Sequence, residues 1–419
     1  MIRNHKSMNK KQIFTRSVIT VAIALASSQT MAAGFQLNAQ SATGLGRAFS
    51  GDGVIADNAS TMAKNAASMA LFDAPALSLG VIAIDTDVNV TNAQYNNKSI
   101  NDTSIGGTSY APNIYYIQPI NDKFSVGASL YSNFGTKTEF DDNYAANAFG
   151  GLTDVKSVNL GLSAAYRINQ HFSVGGGLDI IHGSGKLKRY IPAGTISTPI
   201  GNINTPKVNL LDIDADGLAL GFNLGTIYEF NDNNRFGLSY RYSPTLEAKG
   251  DMHYAGANID GQKLKIPLPD MLEFSGFNKL NDKFAVHYSI QWIRWSEFDV
   301  LETSGNVELN NYQWQDGWHY SVGGTYYLNN DWTLRAGYMH DTSAQQKSNT
   351  SISVPDSARD WLSSGFSYHV DSKSTIDFGL TYLIGKDVNA QETNPIGMSV
   401  NATTRADAWL YGLQYSRSF

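Results

Sequence analysis

The chain has no cysteine, no apolar run approaching the roughly eighteen residues a membrane helix needs, and no excess of basic residues: Lys+Arg number 31 against 37 Asp+Glu. The first absence removes disulfides, so an exported form must draw its stability from backbone hydrogen bonding. The second removes helical membrane spans. The third, a formal net charge of −6 with a pI near 5.7, argues against nucleic acid, which requires a concentrated basic face. Yet 42 % of the residues are hydrophobic and 22 Tyr and 19 Phe are present, while mean hydropathy is only −0.26. Apolarity is abundant but dispersed, as it is in strands that alternate between lipid and lumen.

What is there first is a repeated punctuation: Asn121-Asp122-Lys123-Phe124, Asn169-Gln170-His171-Phe172, Asn233-Asn234-Arg235-Phe236, Asn281-Asp282-Lys283-Phe284 and Asn329-Asn330-Asp331-Trp332. Asn and Asp open tight turns because their side chains hydrogen-bond their own backbone. The aromatic at the fourth position then leads into an alternating strand. A soluble repeat array would require the intervening segments to resemble one another, and they do not. Tight polar turns followed by rings belong to the rim of a transmembrane β-barrel, with short periplasmic turns and an aromatic girdle.

Between the turns the period is 2. Val158, Leu160, Leu162, Ala164, Tyr166 and Ile168 share one face and Asn159, Gly161, Ser163, Ala165 and Arg167 the other. Phe284 to Trp292 and Ile376 to Tyr382 behave alike. The markers Asn121, Asn169, Asn231, Asn281, Asn329 and Asp371 lie 48, 62, 50, 48 and 42 residues apart. At about 10 residues per strand, each interval holds two strands and an outer loop. The expectation is an all-β fold, a fourteen-stranded antiparallel barrel over residues 75–419 with both ends periplasmic. Most of the Tyr and Phe should form two interface girdles.

Residues 1–32 read as a secretory signal: basic Arg3, Lys6, Lys10, Lys11 and Arg16, the apolar stretch Val18 to Ala26, and a cut between Ala32 and Ala33. Residues 33–74 are rich in Ala, Gly, Ser and Asn rather than strand-like, and small residues suit a compact plug, or hatch, inside the lumen. The longest outer loops are expected near Tyr190 to Asn209 and Ala255 to Pro269, both apolar and proline-containing. Outer loops that were merely solvated would be charged, so these suggest capture of something greasy at the cell surface.

Candidate catalytic or metal patterns fail on inspection. Asp212-Ile213-Asp214-Ala215-Asp216-Gly217 opens like a calcium loop but has Asn223 where the twelfth-position Glu belongs. His182-Gly183-Ser184-Gly185 is not a nucleophile elbow. Of the eight His none sits in a site motif. No enzyme, metal or cofactor is expected. The alternatives from other classes are an outer-membrane enzyme, which would need a nucleophile–His or Asp–His constellation at the rim, and an adhesin, which would need no hatch.

Gly34-Phe35-Gln36-Leu37-Asn38, Ser41, Gly44-Leu45-Gly46-Arg47-Ala48-Phe49-Ser50-Gly51 and Ile55-Ala56-Asp57 resemble the plug of the outer-membrane long-chain fatty acid transporters, the FadL family. The likeness continues through Pro112-Asn113, Pro119 to Asp122, Ser132 to Gly135, Lys186 to Tyr190, Leu268-Pro269, Trp332 to Asp341, Ser351 to Pro355 and Trp409 to Phe419. The resemblance implies a monomeric outer-membrane channel for passive uptake of long-chain fatty acids or, as in related members, aromatic hydrocarbons. Its surroundings would be outer-membrane lipid and lipopolysaccharide, reached through the barrel-assembly machinery. It implies capture by outer loops, transfer to a pocket floored by the hatch, and lateral exit at a kink in the third strand, here Asn133, Phe134 and Gly135. Phe35, Arg189, Asp341 and Arg359 are the implied substrate-facing residues, with Arg189 the partner for a carboxylate while Lys186 and Lys188 alternate to the other face. Where the family hatch has Asn-Pro-Ala, this chain has Asn65-Ala66-Ala67, leaving the backbone less pre-set.

Overall fold

The computed structural model describes residues 34–198 and 201–419; the signal-peptide reading lies outside them. Fourteen antiparallel strands form the wall: β1 Ala76–Tyr95, β2 Gly107–Pro119, β3 Phe124–Tyr131 continued by Gly135–Glu139, β4 Leu152–Arg167, β5 Phe172–Ile191, β6 Val208–Asn231, β7 Asn234–Tyr242 continued by Leu246–Tyr254, β8 Met271–Lys279, β9 Phe284–Ile293, β10 Gly317–Tyr327, β11 Trp332–Asp341, β12 Arg359–His369, β13 Ser374–Gly385 and β14 Ser399–Ser418. Pairing of β1 with β14, from Ala76 opposite Ser418 onward, closes the barrel. Closure leaves no edge, which is what a strand protein in lipid requires. No helix among the described residues is long and apolar enough to cross a membrane.

All six expected turns are present, and their chemistry is visible. The Asn121 carboxamide oxygen accepts from the Lys123 and Phe124 amides, both at 2.9 Å. Asn169, Asn281 and Asn329 repeat the arrangement, and Asp371 accepts from Lys373 N at 2.7 Å. The faces also separate as the alternation requires: Leu162, Leu178, Leu220 and Leu413 point outward, and Asn159, Ser173, Asp179 and His287 are buried inward. Outward rings pair across neighbouring strands near the turns, Phe284 with Tyr326 and Trp332 with Tyr368. They do so again towards the other end, as in Tyr382 with Trp409.

Residues 34–71 fill the lumen. Ser41 caps a single helical turn, α1 (Ala42–Leu45), by accepting from Gly44 N. Asn58 and Asn65 cap two 3₁₀ turns, Ala59–Ala63 and Ala66–Leu71. With no proline at Ala66, Asn65 still fixes the turn: its oxygen accepts from Ala67 N and its NH₂ donates to Thr226 O of β6, both at 3.0 Å. The backbone therefore reaches the wall closely, and the wall yields space with glycine. A Cβ on Gly337 of β11 would lie 2.2 Å from Arg47 O, and one on Gly175 of β5 would lie 2.5 Å from Ala67 N. Charge completes the fit. Arg47 binds Asp52 and Asp57, Arg335 of β11 reaches Asp57, and Lys64 lies 3.5 Å from Glu273 of β8.

Two strands are interrupted. β3 stops at Tyr131 and resumes at Gly135, where the sequence placed its kink. β7 breaks at Ser243-Pro244-Thr245, a second interruption that the sequence reading did not anticipate. Pro244 has no N–H for the ladder, and Asp270 accepts from Ser243 N instead. The outer half of β7 then leaves β8 and pairs with Leu264–Ile266. The loop expectation needs correcting as well. The longest connection runs from Ile293 to Gly317, not through either stretch named above. Its rings, Trp295, Phe298, Tyr312 and Trp314, passed for interface girdle in a chain whose Tyr and Phe were mostly expected there.

Candidate functional site

At the β3 interruption the ladder changes partner. β2 pairs with β3 only from Ile114 opposite Leu130 down to Pro119 opposite Ser125; the outer piece of β3 pairs with β4. On the β4 side Ser157 N donates to Phe134 O at 2.9 Å. On the other side the hatch stands in for β2: Leu37 N donates to Asn133 O at 2.7 Å and Gly135 N to Phe35 O at 2.8 Å, with Gln36 opposite Phe134. Gln40 also donates to the Asn133 carboxamide oxygen at 3.2 Å. The kink residues and the hatch's first residues are thus one structure.

Above this contact is a packed cluster of aromatic rings. Phe35 lies 4.7 Å from Trp295, 5.1 Å from Phe298 and 6.2 Å from Phe134, ring centre to centre. Trp314 lies 4.7 Å from Phe298, and Tyr312 4.8 Å. All are buried. The indole N–H groups of Trp295 and Trp314 are buried without a hydrogen-bond partner, a condition that costs about 1–3 kcal/mol per donor and that an incoming oxygen would relieve. Trp295, Phe298, Tyr312 and Trp314 escaped the sequence reading. The available signal was a set of rings off the period-2 register between Arg294 and Asp316.

Farther out is an open cavity of about 690 Å³ lined by Leu187, Leu211, Leu301, Tyr312, Arg189 and Glu392, among others. Leu187, Leu211, Leu301 and Tyr312 also belong to the buried apolar cluster that contains Phe35 and Phe134, so packed apolar side chains connect one wall of this otherwise largely polar cavity to the kink. Arg189 is positioned by alternation. Lys186 and Lys188 turn to the other face and meet Asp214 and Asp212, while Arg189 donates to Leu152 O, Lys188 O and the Thr153 hydroxyl. Each of those acceptors is neutral, and Arg189 makes no ion pair among the described residues.

The other implied residues are placed differently. Asp341 and Arg359 come together, both fully buried, with Arg359 3.8 Å from Asp341 and 2.6 Å from Asp356. Asp341 also lies 3.2 Å from His319. Asp356 accepts from Gly34 N, Ala344 N and the Ser343 hydroxyl. Burial pushes the Asp356 carboxyl above its usual range despite the guanidinium. Arg359 is therefore a tie between the hatch's beginning and the loop after β11, rather than a cation offered to the outer cavity. Arg359→Leu should cost about 3–5 kcal/mol by stranding buried carboxylates. Thermal unfolding in detergent followed by circular dichroism, with a shift of several degrees, would show it; an unchanged midpoint would contradict the tie.

With this geometry in place, known proteins can be compared. Residues 23–419 match the family described as outer membrane protein transport protein (OMPP1/FadL/TodX). The chain belongs to this family. It is 36 % identical to a long-chain fatty acid transport protein of Escherichia coli O6:H1 over 98 % of this chain and all of the relative. It is 34 % identical to outer membrane protein P1 of Haemophilus influenzae over 97 % and 99 %. In fold it resembles a Pseudomonas aeruginosa FadL homologue, with a TM-score of 0.82 at 22 % identity over 92 % of this chain and all of that one. It also resembles the Pseudomonas putida toluene transporter TodX, at 0.65 and 17 % over 86 % and 94 %. The FadL-family chain is an outer-membrane transport barrel.

Proposed function

We propose that this FadL-family protein passively admits long-chain fatty acids, catching them in the outer cavity, passing them in among the aromatic rings around Phe35, which part to admit them, and releasing them sideways at Asn133 to Gly135. The observation that carries the reading is the contiguous cluster of apolar side chains from Arg189's cavity through Tyr312, Phe298 and Phe35 to Phe134. It suits a ligand that is mostly tail. At about 0.8 kcal/mol per CH₂, a tail of roughly fifteen methylenes gains on the order of 12 kcal/mol gross, before ordering and translational costs. Arg189, hydrogen-bonded to neutral acceptors, is left with charge for a carboxylate, and a solvent-reachable pair adds only about 0–1 kcal/mol. The cation orients; the tail binds.

The test is Arg189→Ala in a titration with fatty acid and the matching alcohol. Acid binding should weaken a few-fold and alcohol binding should stay near wild type. Equal losses would mean that Arg189 acts through packing; no loss for either would remove it from the pathway. A second reading, entry of aromatic hydrocarbons, is favoured by the four rings packed against Phe35 and needs no cation. Toluene binding that survives Arg189→Ala while fatty acid fails to bind the wild type would select it.

A further inference from the structure

Glu392 is a residue of the outer cavity whose chemistry opposes a fatty acid and which is held beside the cation. It sits on the short strand Val388–Thr393, which pairs with β14, and accepts from Ile352 N at 2.7 Å. It shares the cavity with Arg189. The other titratable groups lining that cavity are Tyr254 from the outer half of β7, and Glu308 and Tyr312 from the connection between β9 and β10; the remaining lining is neutral. We propose that Glu392 is a built-in rival for Arg189: ionised, it balances the guanidinium and turns carboxylate ligands away, and protonated, it leaves the cation to them. This rests on the fatty-acid reading and adds to it a proton-controlled preference between anionic and neutral amphiphiles.

The physical setting supports a switch near neutrality. Removal from water raises the Glu392 carboxyl to about 7, partly offset by the Ile352 amide and by Arg189. The sign follows. Below about 7 the residue holds a proton and no longer offsets Arg189's charge. Above it the two charges cancel, and an incoming anion also meets Glu392's repulsion. Anion affinity should therefore fall as pH rises through 7, while a neutral ligand should be indifferent. Two like charges several ångströms apart at a protein surface correspond to roughly a three- to tenfold change in affinity.

The experiment uses detergent-purified full-length protein, checked for folding by heat-modifiable migration, and two probes: tetradecyl sulfonate, which stays ionised throughout, and tetradecanol. From pH 8.5 to 6.0 the wild type should bind sulfonate three- to tenfold tighter and tetradecanol equally. Glu392→Gln, which retains an acceptor for Ile352 N, should bind sulfonate tightly at every pH. Arg189→Gln should bind it more weakly, with the midpoint of the pH profile moved upward because Glu392 has lost its cation. A flat wild-type sulfonate profile beside normal tetradecanol binding, an unaltered slope in Glu392→Gln, or an unmoved midpoint in Arg189→Gln would each overturn the role of Glu392. If neither probe binds at any pH, the fatty-acid reading itself fails and this inference with it.

Discussion

Gln36→Cys combined with Phe134→Cys should abolish uptake when oxidised and restore it on reduction. The two residues face each other with backbone hydrogen bonds on either side, the antiparallel arrangement in which Cα atoms stand about 4.5 Å apart, within reach of a disulfide. Because the native chain has no cysteine, no competing bridge can form. The bond would fasten the hatch to the kink, so uptake in cells should drop at least tenfold while amphiphile binding to the purified protein is retained. Wild-type uptake by a fully cross-linked, surface-exposed variant would exclude passage at β3. Single-cysteine variants control for the loss of the Phe134 ring.

Deletion of residues 34–73 should give the second large effect, a barrel that still assembles but conducts ions. The wall does not depend on the hatch for closure, since β1 and β14 pair along nearly their whole lengths. Several inward charges also keep partners within the wall: Arg241 with Asp179, and Arg335 with Asp377. Glu273 would lose Lys64, and His287 would lose the Ser50 hydroxyl, but both would then face water. Single-channel recordings in planar bilayers should show conductance well above that of the intact protein. Equal conductance would mean that the hatch does not obstruct the lumen.

The wall was readable because its rules are local. An Asx turn is written in four residues and a lipid-facing strand in alternate ones, while the position of the β3 break at Asn133-Phe134-Gly135 came from the family resemblance. What escaped depends on distant partners. Nothing near Arg359 announces that its carboxylate partner Asp356 also receives Gly34 N, 322 positions away in sequence. The rings from Trp295 to Trp314 look like more girdle until the loop folds inward over Phe35. Pro244 was visible in the sequence, but only the pairing of Leu246 with Ile266 reveals that the strand resumes beyond it. Arg189 lay between these cases: alternation with Lys186 and Lys188 gave its direction, but not the Glu392 that lines the same cavity.

The substitution of hatch for β2 at the β3 break makes one peptide serve two structures. Phe35 belongs to the aromatic cluster through its ring and to the wall through its carbonyl, which accepts from Gly135 N. Displacing the ring must therefore pull on the seam, and parting the seam must disturb the rings. On the path proposed above, that makes the molecule an interlock without a motor, for which the cargo's own bulk is the key.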